Sequence, residues 1–144
     1  MIPEIDIHEA RRRLSTPDRP AYLDVRTPEE FAEGHVPGAI NVPLLFLSPA
    51  TGRPTSNPAF LEEVGRRLTP DQEIICGCKS GGRSAMAVEL LQQAGYRHIV
   101  NMLGGFHGQP GGVGSPPVQG WATCGFPLCT HGAAGCQGYS PAPA

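Results

Sequence analysis

The sequence predicts an α/β fold in which a parallel sheet is covered by helices on both faces. Short apolar runs of strand length alternate with amphipathic segments of helix length, and the connections between them are short. Residues 73–94 form a strand, a loop and a helix in immediate succession, which is one such unit. This alternation is typical of parallel strands joined by right-handed crossovers. A chain of 144 residues is long enough for one domain with a buried core.

The first elements follow from capping signals and apolar spacing. Residues 5–14 predict a short helix, capped by Asp6, whose buried face carries Ile7, Ala10 and Leu14. The proline-containing run at 16–20 ends this helix. Residues 21–25 then predict a buried strand.

A capping box predicts the next helix. Thr27 is the N-cap, Pro28 occupies the first helical position and Glu30 supplies the N3 carboxylate, so the helix should carry Phe31 into the core. Residues 39–42 predict a second strand after a turn at 34–38.

The middle of the chain predicts a loop followed by a helix. Residues 43–58 are rich in proline, serine and threonine. Asn57 should cap the following helix and Pro58 should open it, with an apolar stripe made of Phe60, Leu61, Val64 and Leu68.

Residues 73–94 are the centre of the predicted fold. An apolar strand leads into a glycine-rich loop and then into a helix to Ala94, with an apolar face of Ala87, Leu90, Leu91 and Ala94. Gly95 should stop that helix, and residues 98–102 predict a further strand.

A cysteine heads the loop of this central unit. Cys78 follows the strand directly, and two cations, Lys79 and Arg83, lie within the loop. Loops at the carboxyl ends of parallel strands usually bind ligands, and loop N–H groups together with a helix N-terminus favour negative charge. All these influences favour thiolate over thiol, so the loop predicts a reactive cysteine facing an anionic substrate.

The loop sequence Cys78–Ser84 resembles the Cys-x-Ser-Gly-x-Arg-Ser active-site loop of the rhodanese (thiosulfate sulfurtransferase) homology domain. The similarity extends over most of residues 1–128 in the family's order, through the segments Leu23–Phe31, Gly34–Pro43, Gly104–Phe106, Gly120–Trp121 and Gly125–Pro127. The resemblance implies the single-domain type, with a parallel five-stranded sheet and helices on both faces.

The resemblance also implies roles for individual residues. Cys78 is expected to be the nucleophile that carries sulfur, and Arg83 is expected to bind the anionic end of the substrate. The remaining substrate-binding positions of the loop are Lys79, Ser80, Gly81, Gly82 and Ser84. We expect Asp24 and Arg26 to form an ion pair that supports the loop.

The implied activity is transfer of a sulfane sulfur from thiosulfate or a persulfide donor, through a Cys78 persulfide, to cyanide or a thiol. A protein could also act as sulfur donor or acceptor, and no metal or organic cofactor is required. One alternative is a persulfide carrier without turnover, or a regulatory binding module. Another is a cysteine-dependent phosphatase or arsenate reductase, but those enzymes use Cys-x5-Arg, whereas four residues separate Cys78 from Arg83.

Other cysteines and histidines suggest weaker hypotheses. Cys76 should be a buried strand residue. We leave His35 and His107 out of the site, because sulfur transfer needs no obligatory base once the thiolate exists. Five cysteines without an export signal favour reduced thiols, and the odd count leaves at least one free. Zinc binding or redox chemistry by the C-terminal group is an open alternative, for which the residues are Cys124, Cys129, His131 and Cys136.

Composition changes near the C-terminus. No Asp, Glu, Lys or Arg follows Arg97, and the chain becomes rich in glycine and proline. Relative to the family pattern, residues 107–119 are an insertion. Trp121 and Phe126 should dock the end of the domain at about 128, and residues 129–144 should form a flexible tail that is dispensable for folding and transfer.

Charge and hydropathy predict the class of partner. The net charge of −2 gives no electrostatic reason to expect nucleic acid or an anionic membrane as partner. Residues 1–13 lack the apolar core of a signal peptide, and no apolar run approaches the length of a membrane span. These features predict a cytoplasmic protein.

Overall fold

A computed structural model describes residues 2–129. The elements in chain order are β1 (Glu4–Ile5), α1 (Ile7–Leu14), β2 (Ala21–Asp24), α2 (Pro28–Glu33), β3 (Ile40–Asn41), β4 (Leu45–Leu47), β5 (Pro54–Ser56), α3 (Phe60–Arg67), β6 (Ile74–Gly77), α4 (Gly82–Gln93) and β7 (Ile99–Met102). Five strands form one sheet in the order β1-β7-β6-β2-β3, and all four neighbouring pairs are parallel. The predicted five-stranded parallel sheet is confirmed.

Apolar side chains cover both faces of this sheet. On one face Val64 of α3 and Leu91 of α4 pack in a core cluster with alternate residues of β6. On the other face Ile7 of α1 and Phe31 of α2 pack in a second cluster with Ile75 of β6. Successive strand side chains point to opposite faces, so the apolar run of β6 supplies both cores. The predicted placement of helices on both faces is confirmed.

Local capping signals determine the starts of the first two helices. The Asp6 side chain accepts a hydrogen bond from the Glu9 N–H and caps α1. At α2 the Thr27 side chain accepts from the Glu30 N–H, and the Glu30 carboxylate accepts from the Thr27 N–H. Both predictions are confirmed, because each motif lies within one helical turn of sequence.

Two short strand pairs were not predicted. The expected helix at residues 5–14 begins only at Ile7, because Glu4 and Ile5 form the edge strand β1 against β7. The expected loop at 43–58 contains β4 and β5, which pair in an antiparallel sheet. Strands of two or three residues are too short to show the alternation of apolar and polar residues that predicts a strand. They are recognised only from their pairing with another strand in the structure.

Two predicted helix faces differ from the structure. Leu61 of α3 and Leu90 of α4 are exposed, and Ala94 is exposed at the end of α4. The buried residues of α4 are Ser84, Ala87, Val88 and Leu91. This face includes Ser84, whose Oγ contacts Cys78 and the Gly81 carbonyl in the cysteine loop. The helix α3 begins at Phe60, and Asn57 accepts from the Ala59 N–H just before it.

Residues 103–129 close the domain over the second core cluster. Trp121 and Phe126 are buried, their rings meet edge to face at 5.1 Å, and Trp121 Nε1 donates to the Pro127 carbonyl. The predicted docking is confirmed. Along the chain, residues 107–119 lie between β7 and Trp121 and form a hairpin-like arm. In this arm Gln109 pairs with Val118, and Gly112 pairs with Ser115.

The described chain ends in a paired residue. Cys129 and His35 exchange two backbone hydrogen bonds of 2.8 Å, so the predicted flexible tail is wrong for residue 129. This pairing depends on a partner far away in sequence, which composition does not reveal. The other predicted tail residues, 130–144, lie outside the described residues. Among residues 2–129, no helix has the length and apolar character needed to span a membrane.

Candidate active site

Cys78 lies at the carboxyl end of the central strand. It directly follows β6, which is flanked by β2 and β7, and its side chain is buried. The loop 78–81 then leads into α4, with Gly81 as the N-cap in the left-handed region at φ +115°. Glycine adopts this backbone conformation without the strain that a side chain would bring. The loop therefore turns sharply back over the sulfur.

Two groups of the loop and helix approach the Cys78 sulfur. The Gly81 N–H donates to Sγ at 3.0 Å, and the Ser84 Oγ lies 3.4 Å from Sγ. A hydrogen bond from an N–H donor stabilises the anionic form of a thiol. The predicted meeting of Cys78, Gly81 and Ser84 in one site is thus present in the structure.

The segment after β7 holds the outer side of the loop. The Phe106 N–H donates to the Cys78 carbonyl at 2.7 Å, and the His107 N–H donates to the Lys79 carbonyl at 2.8 Å. This approach requires Gly105, because a Cβ there would lie 2.4 Å from the Cys78 oxygen. Only a glycine at position 105 lets this segment approach the loop closely enough to form these hydrogen bonds.

These carbonyl contacts set the direction of the loop N–H groups. A trans peptide directs its C=O and N–H to opposite sides. Because the carbonyls of Cys78 and Lys79 face the segment 106–107, the N–H groups of Lys79 and Ser80 point away from it. Neither has an acceptor elsewhere in residues 2–129. The loop therefore keeps two backbone donors without a protein acceptor on the side away from residues 106–107, beside the Gly81 N–H that meets the sulfur, as expected of an anion-binding loop.

Asp24 and Arg26 form a buried ion pair, as predicted. Arg26 Nη2 and Asp24 Oδ2 are 2.7 Å apart, and both side chains are almost fully buried. Burial lowers the pKa of Arg26, but the hydrogen bonds to Asp24 outweigh this effect and leave the pKa above its ordinary value. The guanidinium also lies 4.3 Å from the ring centre of Phe106, whose N–H holds the loop. The pair therefore supports the loop through Phe106.

Arg83 is engaged by a carboxylate that sequence reasoning did not place in the site. Its Nη1 and Nη2 donate to the two carboxylate oxygens of Glu30 at 2.7 and 3.0 Å. These hydrogen bonds raise the pKa of Arg83. Arg83 is therefore a paired cation in this structure, and an anionic ligand would compete with Glu30 for it. Lys79, by contrast, is exposed.

A chain of polar contacts runs from Ser84 through Asn101 to Glu4. Its middle residue, Asn101, was also missed by the sequence prediction. Ser84 Oγ lies 2.5 Å from Asn101 Oδ1, and Asn101 Nδ2 donates to Glu4 Oε2 at 3.1 Å. Asn101 is buried in β7, where it interrupts the apolar run Ile99–Met102. A buried polar residue inside an apolar strand is the signal that could have indicated it.

The remaining cysteines and histidines have other surroundings. Cys76 is fully buried in the core, as predicted, and burial raises the pKa of its thiol well above the ordinary value. His35 is also buried, with Nδ1 2.8 Å from the Phe31 carbonyl oxygen, whereas His107 is exposed. Neither histidine has a hydrogen bond to Cys78 among the described contacts.

The C-terminal cysteines do not share one state. Cys124 has a free thiol, as do Cys76 and Cys78, whereas Cys129 is disulfide-bonded. The prediction of reduced thiols is therefore wrong for Cys129, since an odd number of cysteines still allows a disulfide alongside free thiols. His131 and Cys136, the other members of the suggested zinc set, lie outside the described residues.

Fold and site together define a class of protein: a parallel α/β domain with a cysteine-headed anion loop at the end of its central strand. Comparison with protein families agrees. The model of the rhodanese-like domain matches residues 6–108. The chain belongs to the rhodanese-like domain family.

Individual relatives point in the same direction. Thiosulfate sulfurtransferase 16, chloroplastic, of Arabidopsis thaliana is 46% identical over 85 residues, which are 59% of this chain and 69% of that protein. A sulfurtransferase of Allochromatium vinosum is 30% identical over 128 residues, which are 89% of this chain and 95% of that protein. Several further relatives are longer, and the matched segment is about half of their length.

A solved structure of similar fold is Rv0390 from M. tuberculosis. It superposes with a TM-score of 0.68 at 29% identity, and the match covers 88% of this chain and 96% of that one. The family and the sulfurtransferases among its relatives support sulfur transfer as the general function.

Proposed function

We propose that this protein is a sulfurtransferase that carries a sulfane sulfur on Cys78 from thiosulfate or a persulfide donor to cyanide or a thiol. The observation that carries the proposal is the Cys78 sulfur itself, which lies at the end of the central strand and accepts the Gly81 N–H at 3.0 Å. A sulfur held among backbone donors is suited to form, and then to release, a bond to an anionic sulfur compound.

The first step transfers the outer sulfur of thiosulfate. The Cys78 thiolate attacks that sulfur, a new S–S bond forms to Cys78, and the sulfur–sulfur bond of thiosulfate breaks. Sulfite leaves with the bonding electron pair, and Cys78 becomes a persulfide anion. This step consumes no proton, oxidant or reductant.

The second step returns the enzyme to its starting state. Cyanide attacks the terminal sulfur of the Cys78 persulfide, a carbon–sulfur bond forms, and the S–S bond breaks. Thiocyanate leaves, and the electron pair of the broken bond restores the Cys78 thiolate. A thiol acceptor in its thiolate form takes the terminal sulfur in the same way and becomes a persulfide.

Backbone donors and one cation supply the electrostatics of both steps. The N–H groups of Lys79 and Ser80 point away from the segment 106–107 and are available to a substrate anion. Arg83 binds the anionic end of the donor by exchanging part of its contact with Glu30. The lining of the loop is completed by Gly82 and by Ser84, whose Oγ lies 3.4 Å from the sulfur.

Two alternative functions predict different outcomes at Cys78. A persulfide carrier without turnover would accept sulfur from a donor but would not release it to cyanide. A cysteine-dependent phosphatase or arsenate reductase would act on phosphate or arsenate esters or anions, although the loop is one residue shorter than theirs. The loop length and the sulfurtransferase relatives favour sulfur transfer.

The experiment is intact mass spectrometry after incubation with thiosulfate, followed by addition of cyanide. We expect the wild-type protein to gain one sulfur atom and to lose it to cyanide with formation of thiocyanate. Cys78→Ser should gain none. Cys76→Ser and Cys124→Ser are the matched controls, because each removes another free thiol and should leave loading intact.

Each alternative has its own readout in the same assay series. Loading without release to cyanide or to small thiols would establish a carrier instead of a sulfurtransferase. Hydrolysis of p-nitrophenyl phosphate or reduction of arsenate that disappears in Cys78→Ser would reverse the proposal. Equal loading of Cys78→Ser and wild type would show that the sulfur is carried elsewhere.

A further inference from the structure

Gln109 lies at the base of the arm 107–119 and contacts the cysteine loop. Its Nε2 donates to the Ser80 carbonyl at 2.6 Å. The backbone of Gln109 is held independently of this contact, because it exchanges hydrogen bonds with Val118 across the arm at 2.8 and 3.0 Å. The backbone pairing of the arm therefore positions the Gln109 side-chain amide against the loop.

The Ser80 carbonyl belongs to the peptide that faces the sulfur. The same Ser80–Gly81 peptide carries the Gly81 N–H, which donates to Cys78 Sγ at 3.0 Å. A planar trans peptide directs C=O and N–H to opposite sides. When Gln109 holds the carbonyl on the outer side, the N–H must face the sulfur.

This peptide differs from its neighbours in how it is held. The carbonyls of Cys78 and Lys79 accept from backbone N–H groups, and the Gly81 carbonyl accepts from the Ala85 N–H and lies 3.1 Å from the Ser84 Oγ. The Ser80 carbonyl accepts from the Gln109 side chain, and it has no other donor among residues 2–129.

Steric hindrance alone does not determine the orientation of the Ser80–Gly81 peptide plane. Gly81 has φ +115°, and without a Cβ it can adopt negative φ almost as readily. Reversal of the peptide would turn its carbonyl, which is a hydrogen-bond acceptor, toward the sulfur. A chain with a glycine at this position therefore needs an external contact to keep the N–H directed inward.

We propose that Gln109 is a positioning residue that keeps the Gly81 N–H directed at Cys78 Sγ. This proposal rests on the proposed function for its consequence in sulfur transfer, but its structural content concerns only the peptide and the sulfur. Gln109 also polarises the peptide, because a hydrogen bond to a C=O strengthens the donor at the other end. The inserted arm thereby takes part in the site.

The test compares Gln109→Met with the matched control Gln119→Met. Methionine keeps the length of glutamine but has no amide donor, and Gln119 is an exposed glutamine on the same arm. Two readouts are used: the pH profile of Cys78 alkylation by iodoacetamide, and the amide resonance of Gly81 in a ¹⁵N–¹H spectrum.

We expect the alkylation profile of Gln109→Met to move to higher pH, because the thiolate loses a donor. In the wild type, the Gly81 resonance should follow the ionisation of Cys78, and in Gln109→Met this response should be lost or strongly reduced. The kcat/KM for thiosulfate should fall roughly two- to tenfold, the range expected for one hydrogen bond. Gln119→Met should match wild type in both readouts and in kcat/KM.

The proposal is overturned if Gln109→Met matches wild type in the alkylation profile and the Gly81 response. It is also overturned if Gln119→Met shows equal shifts, because the arm and not the amide would then be responsible. Failure of the wild type to load sulfur would refute the proposed function instead, and it would leave the alkylation and resonance tests of Gln109 fully interpretable.

Discussion

The ion pair between Glu30 and Arg83 offers a quantitative test of the structure. It joins α2 to α4 with two short hydrogen bonds, and both side chains are about one-quarter exposed, at 26% and 23%. Glu30→Gln removes the charge but keeps an oxygen that can accept from the Thr27 N–H, since a capping box tolerates glutamine. The substitution therefore isolates the ion pair from the helix cap.

The size of the effect follows from the Glu30 pKa. Burial raises this pKa, but the hydrogen bond from Arg83 and those within the Thr27 cap outweigh it, so the pKa falls from 4.5 to about 2. If fully expressed, this shift corresponds to about 3 kcal/mol of stability at neutral pH. Partial exposure, solvent screening and the cap hydrogen bond that glutamine keeps reduce the expected value to about 1–2 kcal/mol.

The sign of the pH dependence is also determined. Because the folded pKa is depressed, the contribution is fully present above about pH 4.5 and is lost as the pH falls toward 2. Urea unfolding should show Glu30→Gln to be less stable than wild type by about 1–2 kcal/mol at pH 7. At pH 3 the difference should fall to about half or less.

The control is Glu33→Gln, an exposed carboxylate at the end of the same helix, which should change stability little at either pH. A Glu30→Gln protein as stable as wild type at pH 7 would refute the ion pair. So would a difference that stays the same at pH 3. In the sulfur-transfer assay, Glu30→Gln should lower the KM for thiosulfate, because Arg83 no longer shares its charge with a carboxylate.

Two further predictions concern packing around the loop. Gly105→Ala should lower the thermal midpoint and slow sulfur loading, because its Cβ would lie 2.4 Å from the Cys78 carbonyl oxygen. The control Gly112→Ala should change neither, because a Cβ at that position meets no atom within 4 Å. Equal effects of the two substitutions would contradict this account. Asn101→Ala should destabilise the protein by about 1–3 kcal/mol in urea unfolding, because it removes Asn101 Oδ1, the nearest acceptor of the buried Ser84 hydroxyl. A change below about 0.5 kcal/mol would contradict the role of that contact.

Local signals predicted much of the fold. The caps at Asp6 and Thr27 and the apolar run of β6 involve residues within a few positions of each other. The position of Cys78 between a strand and a helix has the same local character, and Asp24 and Arg26, which meet in an ion pair, are only two positions apart. Interactions of this range depend on backbone geometry that is set within one turn or one strand.

Rotation of the helices was less predictable. The apolar pattern of α4 allowed two adjacent faces, and the structure buries Val88 with Ser84 while it exposes Leu90. The choice depends on which face the sheet and the cysteine loop meet. A helix with apolar residues on more than one side does not itself specify that face.

The sequence by itself determined the α/β class, the cysteine at the end of the central strand and the family to which the chain is similar. Tertiary structure decided which distant residues complete the site: Glu30 meets Arg83 across 53 positions, and Gln109 meets Ser80 across 29. Such pairs have no common period or spacing in the chain. They are brought together by strand order and by the fold of the inserted arm, because contact in space is set by the sheet and not by separation along the chain.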